Sequence, residues 1–295
     1  MSLALLHVVA AEDVTPHMRR ITFGGEDLAR FASVAPDQQV KLFFARDGGV
    51  PRVPEAPEDG DVGRWHARYL AIPEPERPWM RTYSIRRHLA DRRRIEVDFA
   101  LHGEGGGEGP ASRWAYAARE GDAVGLLGPA RSHYKTPPEG AWKLFVGDET
   151  ALPAMAATVE ALEPGERALV CAEVEDAREE QRWETRGEVE YRWVHRNGGP
   201  RGQREPLVTA VRAAPLPEGP VFAWVAGEAG AVRAVRRHLV DERGLDKRAV
   251  AFSGYWRRDL TQDDGPTADE AVERQEIMTD MEELAARAEQ ADSAR

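Results

Sequence analysis

Arg81-Thr-Tyr-Ser-Ile-Arg86, the alternating run Ile95-Glu-Val-Asp-Phe-Ala-Leu-His102 and the helix start Gly109-Pro-Ala-Ser-Arg-Trp114 decide how this chain is read. In the second stretch Ile95, Val97, Phe99 and Leu101 fall on one face and Glu96, Asp98 and Ala100 on the other, the pattern of a half-buried antiparallel strand. In the first, an arginine, a tyrosine and a hydroxyl residue follow one another along a strand. In the third, Pro110 fits a first helical turn, and the backbone N–H groups of Ala111 and Ser112 can point at an anion with the Ser112 hydroxyl in support. The set suits a flavin dinucleotide. Arg81 can pair with a pyrophosphate and the Tyr83 ring can pack on an isoalloxazine.

Outward from that centre, residues 5–9, 18–23, 39–44, 82–86 and 95–101 read as short strands of a small antiparallel barrel. Residues 47–68 are rich in glycine, proline and charge and read as a surface loop. The character changes near Pro137-Pro-Glu-Gly140. Strand candidates 142–147, 168–174, 191–195, 221–227 and 249–255 then alternate with helical stretches, notably 231–242. That order predicts a doubly wound parallel sheet. The expected organisation is a barrel domain over 1–138, an α/β domain over 139–260 and an acidic tail over 261–295, whose residues 267–291 fit an amphipathic helix.

The chain has 295 residues, 42% of them hydrophobic, a single cysteine and a net charge of −11. Two cores of ordinary size are within reach. One cysteine excludes an internal disulfide, a Cys-ligated iron–sulfur cluster and a Cys-rich zinc site, and Cys171 reads as an inert strand residue. No dedicated metal cluster is expected. The tail carries eleven acids and three arginines, so the other 260 residues are close to neutral, which argues against nucleic acid as a partner. The apolar start, residues 3–10, reads as a first strand and not as a signal peptide. No run is long enough for membrane insertion, and the expected location is the cytoplasm.

Further motifs extend the argument. They are Asp98-Phe-Ala-Leu-His-Gly103, Gly121-Asp122, Gly128-Pro129, Gly147-Asp-Glu-Thr-Ala-Leu-Pro-Ala154, Trp224-Val-Ala-Gly-Glu228 and Ser253-Gly-Tyr-Trp-Arg257. In this order, and together with the stretches quoted first, they resemble the siderophore-interacting protein family, a branch of the ferredoxin–NADP reductase superfamily. The resemblance covers residues 5–258. It implies an FAD-binding barrel, a nicotinamide-binding α/β domain and the reduction of ferric siderophores, with NADH or NADPH as donor. The implied chemistry moves a hydride to the flavin N5 and then single electrons to siderophore-bound Fe(III).

The resemblance puts the flavin on Arg81, Thr82, Tyr83, Ser84, Asp98, Phe99, Ala100, His102 and Gly103, and on Gly109, Pro110, Ala111 and Ser112. Across the cleft it implies Asp148, Thr150, Ala151, Gly227, Glu228 and Trp256. Thr150, the expected catalytic residue, shapes the reaction site; the residue can cap the following helix or reach the flavin or nicotinamide. Gly227-Glu-Ala-Gly230 stands where superfamily reductases often have a cysteine, and Asp259 where this family often has glycine. Arg257, Arg258 and Lys247 are the expected cations for an anionic siderophore. Glu173 and Glu175 can bind a ribose diol, while Arg178, Arg182, Arg192 and Arg196 can bind a 2′-phosphate, so the sequence leaves NADH and NADPH both open. Two other functions stay in view: a general NAD(P)H:flavin or quinone reductase, and a siderophore-binding flavoprotein reduced by a partner such as ferredoxin. The oligomeric state is not readable.

Overall fold

Alternation of buried and exposed residues builds the first half of the molecule. The computed structural model describes residues 2–55, 61–103, 109–129, 135–258 and 260. Seven strands form one antiparallel sheet: β1 (Ser2–Thr15), β2 (Met18–Gly24), β3 (Gln39–Phe44), β4 (Trp79–Ser84), β5 (Arg87–Leu89), β6 (Arg94–Ala100) and β7 (Ala123–Gly128), in the order β4-β3-β7-β1-β2-β6-β5. Strand β1 is longer than the expected 5–9. Its first half pairs with β7 and its second with β2, and a register shift between Val8 and Ala10 turns it from one neighbour to the other. Strand β7, an apolar run absent from the sequence expectation, lies between β3 and β1.

The curled sheet buries Leu6, Ile21, Phe23, Leu42, Phe44, Ile95, Val97 and Phe99 at or near zero exposure, each contributing roughly 1.5–3 kcal/mol. Helix α2 (Pro110–Ala117) closes one end, with Trp114 stacked on Phe23 at 6.1 Å and against Phe44 at 4.9 Å.

The expected loop over 47–68 contains a helix, α1 (Val62–Leu70). Asp61 caps it by accepting from the Arg64 N–H at 2.9 Å. Trp65 and Tyr69, four residues apart, bury against Phe43 at 5.8 and 5.9 Å. Flanking glycine and proline hid this short periodicity.

The second half is a five-stranded parallel sheet: β8 (Trp142–Asp148), β9 (Arg167–Val174), β10 (Glu188–His195), β11 (Val221–Glu228) and β12 (Val250–Trp256), in the order β10-β9-β8-β11-β12. Helix α3 (Leu152–Glu160) covers one face. Helices α4 (Arg204–Arg212) and α5 (Ala229–Arg237) cover the other. The helix expected over 231–242 starts two residues earlier and ends in a wide turn, His238–Glu242. Cys171 is buried in this core, its thiol pushed up to about 12 by burial. Both sheets belong to one compact unit, Met1–Arg258. The tail helix expected over 267–291 lies outside the described residues.

On the outer face of the barrel, Arg20 and Asp98 stand opposite each other in the β2–β6 register and form a two-pronged ion pair at 2.7 and 2.8 Å. Asp98 is 4% exposed. Removing Arg20 alone leaves that buried carboxylate to the more distant Arg86 guanidinium, 3.8 Å away and not hydrogen-bonded to it. Arg20→Met is expected to lower unfolding free energy by about 3 kcal/mol, and the double variant Arg20→Met/Asp98→Leu to recover most of it. Urea denaturation of the three proteins checks this.

Candidate functional site

The barrel has a seam where β4 faces β6. One end is closed by the backbone bond from Arg86 N–H to Glu96 O of β6 (2.8 Å), while Ile85 N–H to Gln38 O (2.7 Å) extends the β3–β4 ladder up to it. Period-two geometry puts Arg81 and Tyr83 on one face of β4 and Thr82 and Ser84 on the other. The Tyr83 ring lies 4.3 Å from Phe99 and against Phe44, and burial raises its phenol pKa. Arg81 donates to the Met80 carbonyl at 2.8 Å. Thr82 accepts from Lys41 Nζ at 2.6 Å, and burial lowers the Lys41 ammonium. Ser84 lies 3.5 Å from the Tyr255 hydroxyl of β12, so the β4 strand end meets the last strand of the parallel sheet.

Beside the seam, Gly109 has φ +76°, a left-handed value that favours glycine, and a side chain there would point into open space. Pro110 follows in the first turn of α2, and among the described residues no side chain caps this N-terminus. Uncapped N–H groups beside an open cradle fit the pyrophosphate of FAD. The Ser112 hydroxyl accepts from the His102 N–H at 2.9 Å, tying the turn after β6 to α2. Gly103 has φ +74°. The flexible-loop reading of Gly105-Gly-Gly107 lies outside the described residues.

Three expected flavin ligands are committed elsewhere. The Asp98 carboxylate faces outward and is held by Arg20, a partner 78 residues away in sequence. The Phe99 side chain is fully buried in the barrel core. Ala100 packs against the core of the parallel sheet. What this segment offers the seam is main chain.

A second feature lies outside the carboxyl ends of β8 and β11, where the strand order reverses and open α/β sheets form their ligand crevice. Asp148, 4% exposed, accepts four hydrogen bonds there: from Thr150 N–H (2.9 Å), Thr150 Oγ1 (2.5 Å), Glu228 N–H (2.8 Å) and Trp256 Nε1 (2.8 Å). Gly227, φ +139°, makes this possible, since a Cβ there would lie 2.6 Å from Asp148 Oδ2.

Thr150 therefore bonds to Asp148 and does not cap α3, whose N-cap is Ala151. Ala151 is fully buried, which removes its side chain from any ligand. The Glu228 carboxylate caps α5 by accepting from the Ala231 N–H at 2.8 Å.

Arg257 and Arg258 follow the carboxyl end of β12, on the crevice side. Lys247 precedes β12, at the opposite edge of the sheet. A seven-residue strand separates them by about 20 Å. The expected cluster of cations thus loses Lys247, because sequence proximity across a strand is distance in space.

Two arrangements go beyond the sequence reading, which named Glu173, Glu175 and Arg196 only as separate candidates for the coenzyme ribose. Lys41, directly opposite Thr82 in the β3–β4 register, brings a cation to the seam. The other is a buried ionic network past the ends of β8 to β10. Arg196, its side chain 4% exposed, contacts Glu149 (2.6 Å), Glu173 (3.5 Å) and Glu175 (3.1 Å). Arg201 reaches Glu149 at 3.2 Å and also contacts His102 and the Leu101 carbonyl. Burial, with repulsion from Asp148, pushes Glu149 up to about 7 against the opposing effect of Arg196. Burial likewise raises Glu173 to about 7, with Arg196 opposing and Asp148 adding to it. The placement of Glu173 and Glu175 at a strand end was legible in the sequence; the turn-rich Arg196-Asn-Gly-Gly-Pro-Arg-Gly202, which carries Arg201 to Glu149, is the signal that could have extended it.

Comparison with known proteins agrees with this geometry. Residues 7–133 match the family model described as siderophore-interacting FAD-binding domain, and residues 140–259 the model described as siderophore-interacting protein. A crystal structure of a siderophore utilization protein from T. fusca superposes with TM-score 0.72 at 34% identity, covering 89% of this chain and 95% of that one. Ferric vibriobactin reductase ViuB of Vibrio cholerae is 29% identical over 86% of this chain and 89% of its own length. The NADPH-dependent ferric-chelate reductase of Escherichia coli is 29% identical over 85% and 91%. A barrel seam suited to FAD, a dinucleotide-type crevice beside it and two adjoining family models have one consequence: the chain belongs to the siderophore-interacting protein family and is an FAD-dependent oxidoreductase.

Proposed function

We propose that the protein takes electrons from NADH or NADPH and delivers them, with FAD as cofactor, to ferric iron held by a siderophore. The observation that carries this reading is the contact between Ser84 at the flavin seam and Tyr255 of β12, which brings the seam and the dinucleotide crevice side by side. The names of the Vibrio cholerae and Escherichia coli relatives support the substrate and the donor. On this reading the FAD-binding part spans 1–138 and the nicotinamide-binding part 139–260, in keeping with the limits of the two family matches. The reaction belongs in the cytoplasm, where reduced nicotinamide is available. Among the described residues no helix is long and apolar enough to cross a membrane.

Bound FAD supplies the change from a two-electron hydride to single-electron transfer. The residues of this chain bind and orient. Arg81 and the N–H groups at Gly109, Ala111 and Ser112 hold the pyrophosphate, Tyr83 packs beside the ring system, and Thr82 and Ser84 hydrogen-bond at its edge. Asp148 fixes Thr150, Trp256 and the β11–α5 turn as the wall against which a nicotinamide docks. Arg257 and Arg258 attract an anionic ferric chelate. Ferrous iron binds hard oxygen donors less strongly than ferric, so reduction loosens the complex.

Anaerobic addition of NADH or NADPH to the FAD-loaded protein, followed by a ferric siderophore, tests the proposal. The visible flavin bands should bleach with the nucleotide and return with the ferric complex. No return with any ferric siderophore, alongside rapid turnover of free flavin or quinone, would overturn it. Arg81→Ala is expected to weaken FAD binding by about tenfold or more, through loss of a charge-assisted contact; titration of the apoprotein by flavin fluorescence measures it. Asp148→Asn keeps the shape but replaces one oxygen by a donor. It should slow flavin reduction by pyridine nucleotide by about tenfold while FAD content stays stoichiometric, as stopped-flow absorbance would show.

A further inference from the structure

We propose that the crevice selects NADH over NADPH, with Glu175 as the residue that accepts the unphosphorylated adenosine ribose. This rests on the reading of residues 139–260 as the nicotinamide-binding part.

In open α/β sheets the group that tells the two coenzymes apart stands at the carboxyl end of the second strand. A carboxylate there accepts from a ribose hydroxyl, and an arginine there takes a 2′-phosphate. Here the second strand is β9, and Glu173 and Glu175 stand at its end. Glu173 is buried, 2% exposed. Glu175 reaches the surface, its side chain 24% exposed, and is anchored by the Gly198 N–H at 2.8 Å and by Arg196. An anchored, partly exposed carboxylate is an acceptor for a diol and a repulsive neighbour for a phosphate.

The buried arginines nearest this edge are committed, whereas Arg178, its side chain 70% exposed, and Arg182 are engaged only at the surface. Arg196 is enclosed by three carboxylates. Arg201 is held by Glu149, His102 and the Leu101 carbonyl. Arg178 pairs with Asp176 through two donors. Arg192 bonds to Glu190 and the Ala213 carbonyl, and Arg182 lies over the Tyr191 ring at 5.6 Å. Glu149 and Glu173, both raised to about 7 by burial, add only part of their charge near neutral pH; Glu175, with its side chain 24% exposed, is the carboxylate that an incoming ribose meets. Glu173 Oε2 and Arg196 Nε are both buried without a hydrogen-bond partner, so the unpaired groups inside the network include an acceptor and a donor, and the discrimination rests on Glu175 at its rim. Adding a dianion costs repulsion that a neutral diol avoids.

The test uses holoprotein, whose own FAD fills the flavin adenosine site. Calorimetric titration with 5′-AMP and with 2′,5′-ADP, which differ only by the 2′-phosphate, reads the ribose subsite without turnover, and kcat/KM for NADH and NADPH reads it with turnover. 5′-AMP should bind about tenfold more tightly, and NADH should be favoured by a similar factor. Glu175→Gln keeps an oxygen for the Gly198 N–H and removes the charge, so it should bring the two affinities within about threefold, chiefly by improving 2′,5′-ADP. Tighter 2′,5′-ADP or faster NADPH in the unaltered protein overturns the inference and leaves the donor reading intact. Equal weakening of both nucleotides in Glu175→Gln also overturns it, because that is what a merely structural carboxylate would do. If neither nucleotide binds and neither NADH nor NADPH bleaches the flavin, the dinucleotide reading falls and the inference falls with it.

Discussion

Asp148 accepts four hydrogen bonds while 4% exposed, from two groups of Thr150, the Glu228 N–H and the Trp256 indole. Only an ionised carboxylate accepts so many at once; an amide in its place would turn one oxygen into a donor. The donors arrive from the loop after β8, the end of β11 and the end of β12, so one charged group sets the spacing of three elements around the crevice. The neighbouring glycines follow from this. Gly227 must lack a Cβ for Asp148 to approach, and Gly147 must lack one because it would lie 2.3 Å from the Ala226 carbonyl. Gly147-Asp148 and Gly227-Glu228 are thus two halves of a single constraint.

The same reliance on directional bonds marks the joint between the barrel and the parallel sheet. Glu179 accepts from Thr15 Oγ1 at 2.5 Å and from the backbone and ring of His17. Arg86, directly after the flavin strand, donates to Glu160 at 2.8 Å. Trp224 donates to the buried Asp37 at 3.3 Å, and Arg201 spans from Glu149 to His102. Apolar burial holds surfaces together but tolerates sliding; fully bonded polar contacts specify one arrangement. An enzyme that must bring a nicotinamide against a flavin needs the second property, because small errors in placement are costly in rate.

Much of this was legible from residue order, and the limits have physical causes. The inward face of β6 could be read because burial on one side imposes period two. The fate of Asp98 could not, because its partner Arg20 comes from a strand whose register the sequence does not state. Glu228 and Thr150 stand at a strand-to-helix turn, where a polar side chain serves equally as ligand, cap or brace. Only distances show that Glu228 caps α5 and that Thr150 braces Asp148. Lys247 misled because ten residues of separation from Arg257 look close in one dimension, while an intervening strand carries them to opposite edges. Helix α1 was missed because two aromatic anchors, Trp65 and Tyr69, are its main apolar signal within a glycine- and proline-rich stretch. The roles of Arg196, set among three carboxylates, and of Arg201, held by Glu149, His102 and the Leu101 carbonyl, depend on contacts that exist in three dimensions alone.

Charge along the carboxyl edge of the parallel sheet is sorted by position. At β12 the chain continues into Arg257 and Arg258; past β8, β9 and β10 Arg196 and Arg201 are paired with Glu149, Glu173 and Glu175, and Glu175 faces outward. On the proposed function two different molecules approach this molecule, a ferric chelate with acidic oxygen donors and a dinucleotide whose adenosine ribose is neutral in one form and phosphorylated in the other. A uniformly basic edge would attract both anions to both places. Separating the signs along one edge steers the chelate toward the β12 end and keeps it off the ribose subsite, since each approach is favoured in one region and opposed in the other. On the proposed function, the carboxylates past β9 would discriminate twice, between coenzymes and between the two substrates.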